Sequence, residues 1–151
     1  MSIKKVALGG WIFYLDTENE PALHTPSVGK WMYFFDKNGA TFADEICREA
    51  VETGVAAEAK HTDDALVAIK STGVCCFYCD GSDKIAHKKI IAFFLKNHMI
   101  RRTKTNKLYN ISFKFDAQTL AGEYQDGFKA NIKLSDFLDL TTGEWLPSVV
   151  D

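Results

Sequence analysis

At 151 residues the chain is long enough for one domain with a real core and too short for two ordinary ones, and 46% hydrophobic with 25% charged residues is the profile of a soluble globular protein. A formal net charge of −2 excludes a protein that is basic all over. The apolar run after Lys4-Lys5 is too short for a signal-peptide core, and no stretch reaches the roughly 18 apolar residues of a membrane span, so a cytoplasmic protein without a membrane partner is expected.

In chain order, Trp11-Ile-Phe-Tyr-Leu-Asp16 and Trp31-Met-Tyr-Phe-Phe-Asp36 resemble each other at a spacing of twenty. In each, Trp, Phe or Tyr, and Leu or Phe occupy alternate positions, so each is predicted to be a strand with one heavily aromatic face, and the pair to be neighbours in the core. Two such units are too few for a solenoid. The stretch between them carries Pro21 and Pro26 without periodicity and reads as a loop. Lys37-Asn38-Gly39 is a turn, after which Thr41 and Asp44 form a capping box for a helix whose buried stripe is Ala43, Ile46, Cys47 and Ala50. Gly54 is the natural residue beyond its C-terminus. Val55 to Lys60 is a candidate strand, and His61-Thr62-Asp63-Asp64 caps a short helix through Ile69.

Val74 to Cys79 is continuously apolar, as in a central strand covered on both faces. Gly81-Ser82-Asp83 ends it and caps a helix reaching His98, with Ile85, Ile90, Ile91, Phe93, Phe94 and Leu95 as its apolar set and Lys84, His87, Lys88 and Lys96 as its wet side. Tyr109 to Phe115 alternates, with Tyr109, Ile111, Phe113 and Phe115 inward; a further strand runs towards Tyr124. Gln125-Asp126-Gly127 supplies a hairpin turn before Phe128 to Lys133, and Ser135 to Leu140 is a short capped helix. The order is β-β-α-β-(α)-β-α-β-β-β-α. It predicts one α+β domain over residues 1–151, a curved and mainly antiparallel sheet with two main helices packed on one face.

Three stretches carry a resemblance: Gly29-Lys30-Trp31-Met32, Cys76-Phe77-Tyr78, and Phe113-Lys114-Phe115-Asp116-Ala117-Gln118-Thr119-Leu120-Ala121-Gly122-Glu123-Tyr124. Together they resemble the basophilic-leukaemia-expressed protein family, a domain family also labelled as a phosphothreonine lyase. That family is similar in fold to the cap-binding translation initiation factors. Over roughly residues 29–145 the resemblance implies a cap-binding-factor-like concave sheet that takes a nucleotide-like or phosphorylated ligand. The tryptophans that hold the cap in those factors have no position-by-position match here, and no motif in this chain specifies lyase chemistry.

The candidate ligand-binding residues follow from chemistry. Lys96, Arg101, Arg102, Lys104 and Lys107 concentrate five of the 18 Lys and Arg, with Thr103, Thr105 and Asn106 between them, and no acid lies between Lys84 and Phe115. Guanidinium forks and ammonium charges suit phosphate, whereas a solvated loop closing a helix C-terminus is the plainer account of the same residues. Trp11 and Trp31 either stack a base or pack the core. Lys60, Lys114 and Thr119 are further contact candidates, indistinguishable in sequence from ordinary outward-facing residues.

The four cysteines (Cys47, Cys75, Cys76 and Cys79) read as reduced, buried small groups. Cys76 and Cys79 match C-x-x-C, but residues three apart in a strand point to opposite faces, so no metal site is expected. No cofactor motif appears: the chain has no glycine-rich phosphate loop, no G-x-S-x-G and no H-E-x-x-H. Three functions fit these observations. The first is a small binding domain for a nucleotide or other phosphorylated ligand. The second is a protein-interaction module or inhibitor, such as a phage-encoded antagonist of host defence, that turns the same basic surface to an acidic macromolecular partner. The third is an enzyme acting on a phosphate ester, with Lys60, His61 or Lys114 as acid or base, although nothing in the sequence demands catalysis.

Overall fold

The computed structural model describes residues 1–117 and 132–150. Its scaffold is a seven-stranded sheet of β1 (Ile3–Leu8), β2 (Trp11–Asp16), β3 (Val28–Asp36), β4 (Glu58–Thr62), β5 (Thr72–Asp80), β6 (Ser112–Phe115) and β7 (Ile132–Lys133). The strands lie in the order β1-β2-β4-β5-β3-β6-β7, and every neighbouring pair is antiparallel. Helices α1 (Ala40–Glu52), α2 (Asp64–Lys70), α3 (Lys84–Lys96) and the short α4 (Pro147–Val150) complete the α+β architecture. Among the described residues, no helix is long and apolar enough to cross a membrane.

The central strand is β5, as its unbroken apolar sequence requires, and Cys75, Cys76, Phe77, Tyr78 and Cys79 are all buried. One face of the sheet carries the two main helices. Cys75 Sγ lies 4.0 Å from the Ala43 carbonyl of α1, and the Phe77 ring meets Phe94 of α3 with centroids 5.2 Å apart. The buried stripe of α1 is Ala43, Ile46, Cys47, Ala50 and Val51, the spacing expected of a helix with one apolar face. The stripe of α3 is His87, Ile90, Ile91, Phe93 and Phe94.

Local capping explains where the helices begin. The Asp63 carboxylate accepts from Leu66 N at 2.9 Å to start α2, and Asp83 accepts from Ala86 N at 3.1 Å to start α3. Gly54 follows α1 at φ +76°, as its position beyond the helix end predicts.

Several expectations are corrected. The strand β1 was not predicted; it pairs with β2 through Gly9 and Gly10, whose φ of +60° and +87° make the two-residue hairpin turn possible. The two similar aromatic segments, β2 and β3, are not neighbours, because β4 and β5 lie between them. The helix α1 has no side-chain cap from Thr41 and starts at Ala40; Asp44 instead accepts from the Tyr14 hydroxyl at 2.7 Å. The strand expected at Val55–Lys60 forms two to three residues later, as β4. On α3, Ile85 is exposed while His87 is buried, the reverse of the predicted assignment. Only Ser112–Phe115 of the segment from Tyr109 is strand, and Tyr109 is exposed. A single 3-10 turn, Leu134–Asp136, stands where a helix through Leu140 was expected. The strand towards Tyr124 and the Gln125-Asp126-Gly127 turn lie outside the described residues, and the last two residues of Phe128–Lys133 form β7.

Candidate functional site

Alternation along the strands sorts the predicted site residues onto two faces. Trp31 belongs to the helix-covered face and is fully buried. Its indole Nε1 donates to His87 Nδ1 at 3.0 Å, and its ring packs against Phe113 and Phe137. Trp31 is therefore a core residue, and of the two tryptophans considered for stacking only Trp11 is left as a candidate.

Trp11 lies on the opposite face, where Trp11, Phe13, Lys30, Lys60 and Lys114 are partly exposed and Cys76 and Tyr78 are buried. There the strand register assembles two rows of side chains. In one, Phe13 of β2 pairs with Lys60 of β4, Lys60 with Cys76 of β5, and Cys76 with Met32 of β3. In the other, Tyr78 of β5 pairs with Lys30 of β3, and Lys30 with Lys114 of β6. Three lysines, Lys30, Lys60 and Lys114, thus share one surface with Trp11, Phe13 and Tyr78.

Lys60 sits at the centre of this arrangement. Its Nζ lies 3.9 Å from the Trp11 ring centroid, 5.4 Å from that of Phe13 and 5.8 Å from that of Tyr78. Cation–π attraction over an indole face is worth about 0.5–2 kcal/mol and holds the ammonium there. Burial draws the Lys60 pKa below the ordinary lysine range, with the positive charge of Lys30 adding to it. Lys114 is drawn down for the same two reasons, burial first. Lys30 lies 5.7 Å from the Tyr78 ring centroid and pairs with Asp116 at 3.0 Å. Glu58, two residues from Lys60 on the same face, is pushed up by burial, with Glu20 contributing. Beneath the lysines the Cys76 thiol is raised to about 11 by burial, so it is an apolar floor and not a nucleophile. Cys79 points the other way, beside His87, and the C-x-x-C pair does not converge.

The basic loop lies apart from these lysines. Arg101, Arg102, Lys104 and Lys107 are all exposed. The loop is built by its own backbone: Thr103 N donates to Lys107 O at 2.7 Å, Asn106 turns the chain at φ +64°, and buried Leu108 anchors the exit. Arg101 Nη2 donates to the Phe34 carbonyl at 3.4 Å, which fixes the loop to the end of β3 remote from Lys30. Thr119 lies outside the described residues.

His61, next to Lys60 in sequence, faces the helices. It is 3% exposed, with Nε2 2.9 Å from Asp44 Oδ1 and Nδ1 2.8 Å from the Thr62 carbonyl. It borders a cavity of about 910 Å³ between α1 and α2. The sheet thus separates His61 from Lys60 and Lys114, so the three candidate acid–base residues form no single constellation. Among the described residues, no group of three or more His, Cys, Asp and Glu is placed to hold a metal ion.

Sequence reasoning missed Phe13, Tyr78 and Lys30. Phe13 was recoverable by alternation from Trp11. Tyr78 and Lys30 join the cluster only through the pairing of β3 with β5, which no local pattern specifies. No protein-family model and no curated protein matches the chain.

Proposed function

We propose that the sheet face opposite α1 and α3 binds a nucleotide-like, phosphorylated ligand. The observation that carries this reading is Lys60 resting on Trp11 within a surface that also holds Lys30 and Lys114. A planar ring takes the place of the ammonium on the indole face, and the displaced Lys60 turns to the phosphate. Lys30 and Lys114 add positive charge along the same surface, where phosphate oxygens accept from ammonium groups. The half-buried setting strengthens these contacts relative to water, because the local dielectric is lower. The site is chemically suited to holding a ligand; its lysines and aromatic rings are a recognition set.

A thermal-shift titration with adenosine and guanosine 5′-monophosphates, and with the unphosphorylated nucleosides, tests it. The expected result is a rise in melting temperature with the monophosphates that exceeds the nucleosides' and is lost in Lys30→Ala/Lys60→Ala. No rise with any of them, or an equal rise in the double variant, removes the assignment.

A further inference from the structure

The same face continues beyond the lysines. Two residues along from the Lys60 row, Trp11 pairs with Thr62 across β2 and β4, Thr62 Oγ1 accepts from Val74 N at 3.0 Å, and Val74 pairs with Phe34 of β3. Trp11 and Phe34 therefore stand in one row on one face, three strand spacings or about 14 Å apart. Phe34 is 57% exposed, an unusual place for so large an apolar ring.

Positive charge reaches the backbone of the same residue. Arg101 donates to the Phe34 carbonyl at 3.4 Å, and Tyr109 N donates to the Arg101 carbonyl at 2.9 Å, so the basic loop is joined to β3 at Phe34. Arg102, Lys104 and Lys107 follow on the same loop. The acid closest in sequence to Phe34, Asp36, is turned to its own backbone, accepting from Asn38 N at 2.9 Å.

We infer that the ligand of this surface is a single-stranded oligonucleotide that runs from the Lys30, Lys60 and Lys114 cluster across the row to the Arg101–Lys107 loop, with Trp11 and Phe34 as its two stacking platforms. The inference rests on the nucleotide-binding reading of the lysine face. It adds two points to it. One base cannot cover both rings, so the ligand has at least two nucleotides, and the loop supplies backbone charge that a mononucleotide does not reach. Rings interleaved with Lys and Arg along a groove are the means by which single strands are held without sequence readout. An acidic polypeptide would engage the charges but leave the exposed rings without planar partners.

The test measures fluorescence anisotropy with 5′-labelled oligothymidylates and oligouridylates of two, four and eight nucleotides, from low to moderate salt, beside calorimetry with a mononucleotide. The expected result is affinity that rises with length. Phe34→Ala and Arg101→Ala/Arg102→Ala weaken the octamer at least fivefold and the mononucleotide less than the octamer, and make the double variant's salt dependence shallower by about 0.7 per lost phosphate contact. Their melting temperatures serve as the control for folding. Octamer binding no tighter than the mononucleotide, or unchanged in these variants, overturns the inference while leaving the lysine-face site standing. Loss of all binding to both ligands in wild-type protein overturns both. Competition by a poly-glutamate peptide as strong as by an oligonucleotide of equal charge also overturns it, since charge alone would then account for the surface. The thymidylate and uridylate arms distinguish DNA from RNA.

Discussion

His87 shows how a single buried side chain constrains this molecule. Its Nδ1 accepts from Trp31 and its Nε2 donates to the Gly81 carbonyl at 2.9 Å, which requires the neutral ring. Burial holds its pKa below the ordinary 6.5, against the Gly81 carbonyl and the charges of Asp83 and Asp80, which favour the cation. The unfolded chain therefore takes up the proton first. Stability from this group is complete above about pH 6.5 and falls as pH drops from there to the lower folded value. Melting curves between pH 8 and pH 5 are expected to show that decline, and His87→Leu to flatten it. At pH 8 the same variant loses about 1–3 kcal/mol, because a buried indole N–H is left without an acceptor. A variant as pH-sensitive as the wild type would disprove the role. Sequence reading placed His87 on the wet side because it is polar, yet positions 87, 90, 91 and 94 already follow the i, i+3, i+4, i+7 pattern of a buried stripe. Position outweighed residue type.

At the scale of elements, close approach of strands leaves its mark on Gly29. A β-carbon there would lie 2.6 Å from the Phe113 ring and 2.5 Å from the Lys114 carbonyl, neither of which has room to withdraw. Gly29→Ala is expected to destabilise by about 1–3 kcal/mol or more in a denaturant titration, and an unchanged midpoint would contradict the packing described. Asp63→Ala should cost about 1 kcal/mol by the same measurement, since it removes the acceptor for Leu66 N at the start of α2. The caps of α2 and α3, the apolar β5 and the stripe of α1 were legible in sequence because each is a local pattern. The edge strand β1 was not, since Ile3-Lys-Lys-Val-Ala-Leu8 has neither aromatics nor strict alternation. The separation of β2 from β3 was hidden for a different reason: similarity between two strands says nothing about which of them pair. The same limit hid Tyr78 and Lys30 from the candidate site, whereas Trp11, Lys60 and Lys114 were identifiable one by one.

For the whole molecule, the decisive feature is the two-sidedness of the sheet. One face carries α1 and α3 and takes Trp31, Phe77 and His61 into the interior. The other gathers Trp11, Phe13 and Tyr78 with three lysines in a chain whose net charge is −2. Glu58 and Asp116 stand among those lysines, so attraction to a phosphate is expected to be modest and to weaken as salt rises while the fold is little affected. The most direct measurement is isothermal calorimetry of adenosine and guanosine 5′-monophosphate binding to the wild type and Trp11→Ala, with circular dichroism to confirm folding. Losing a stacked base costs about 1–3 kcal/mol, so affinity is expected to fall roughly five- to 150-fold in the folded variant. Equal affinity in the two proteins would contradict the account.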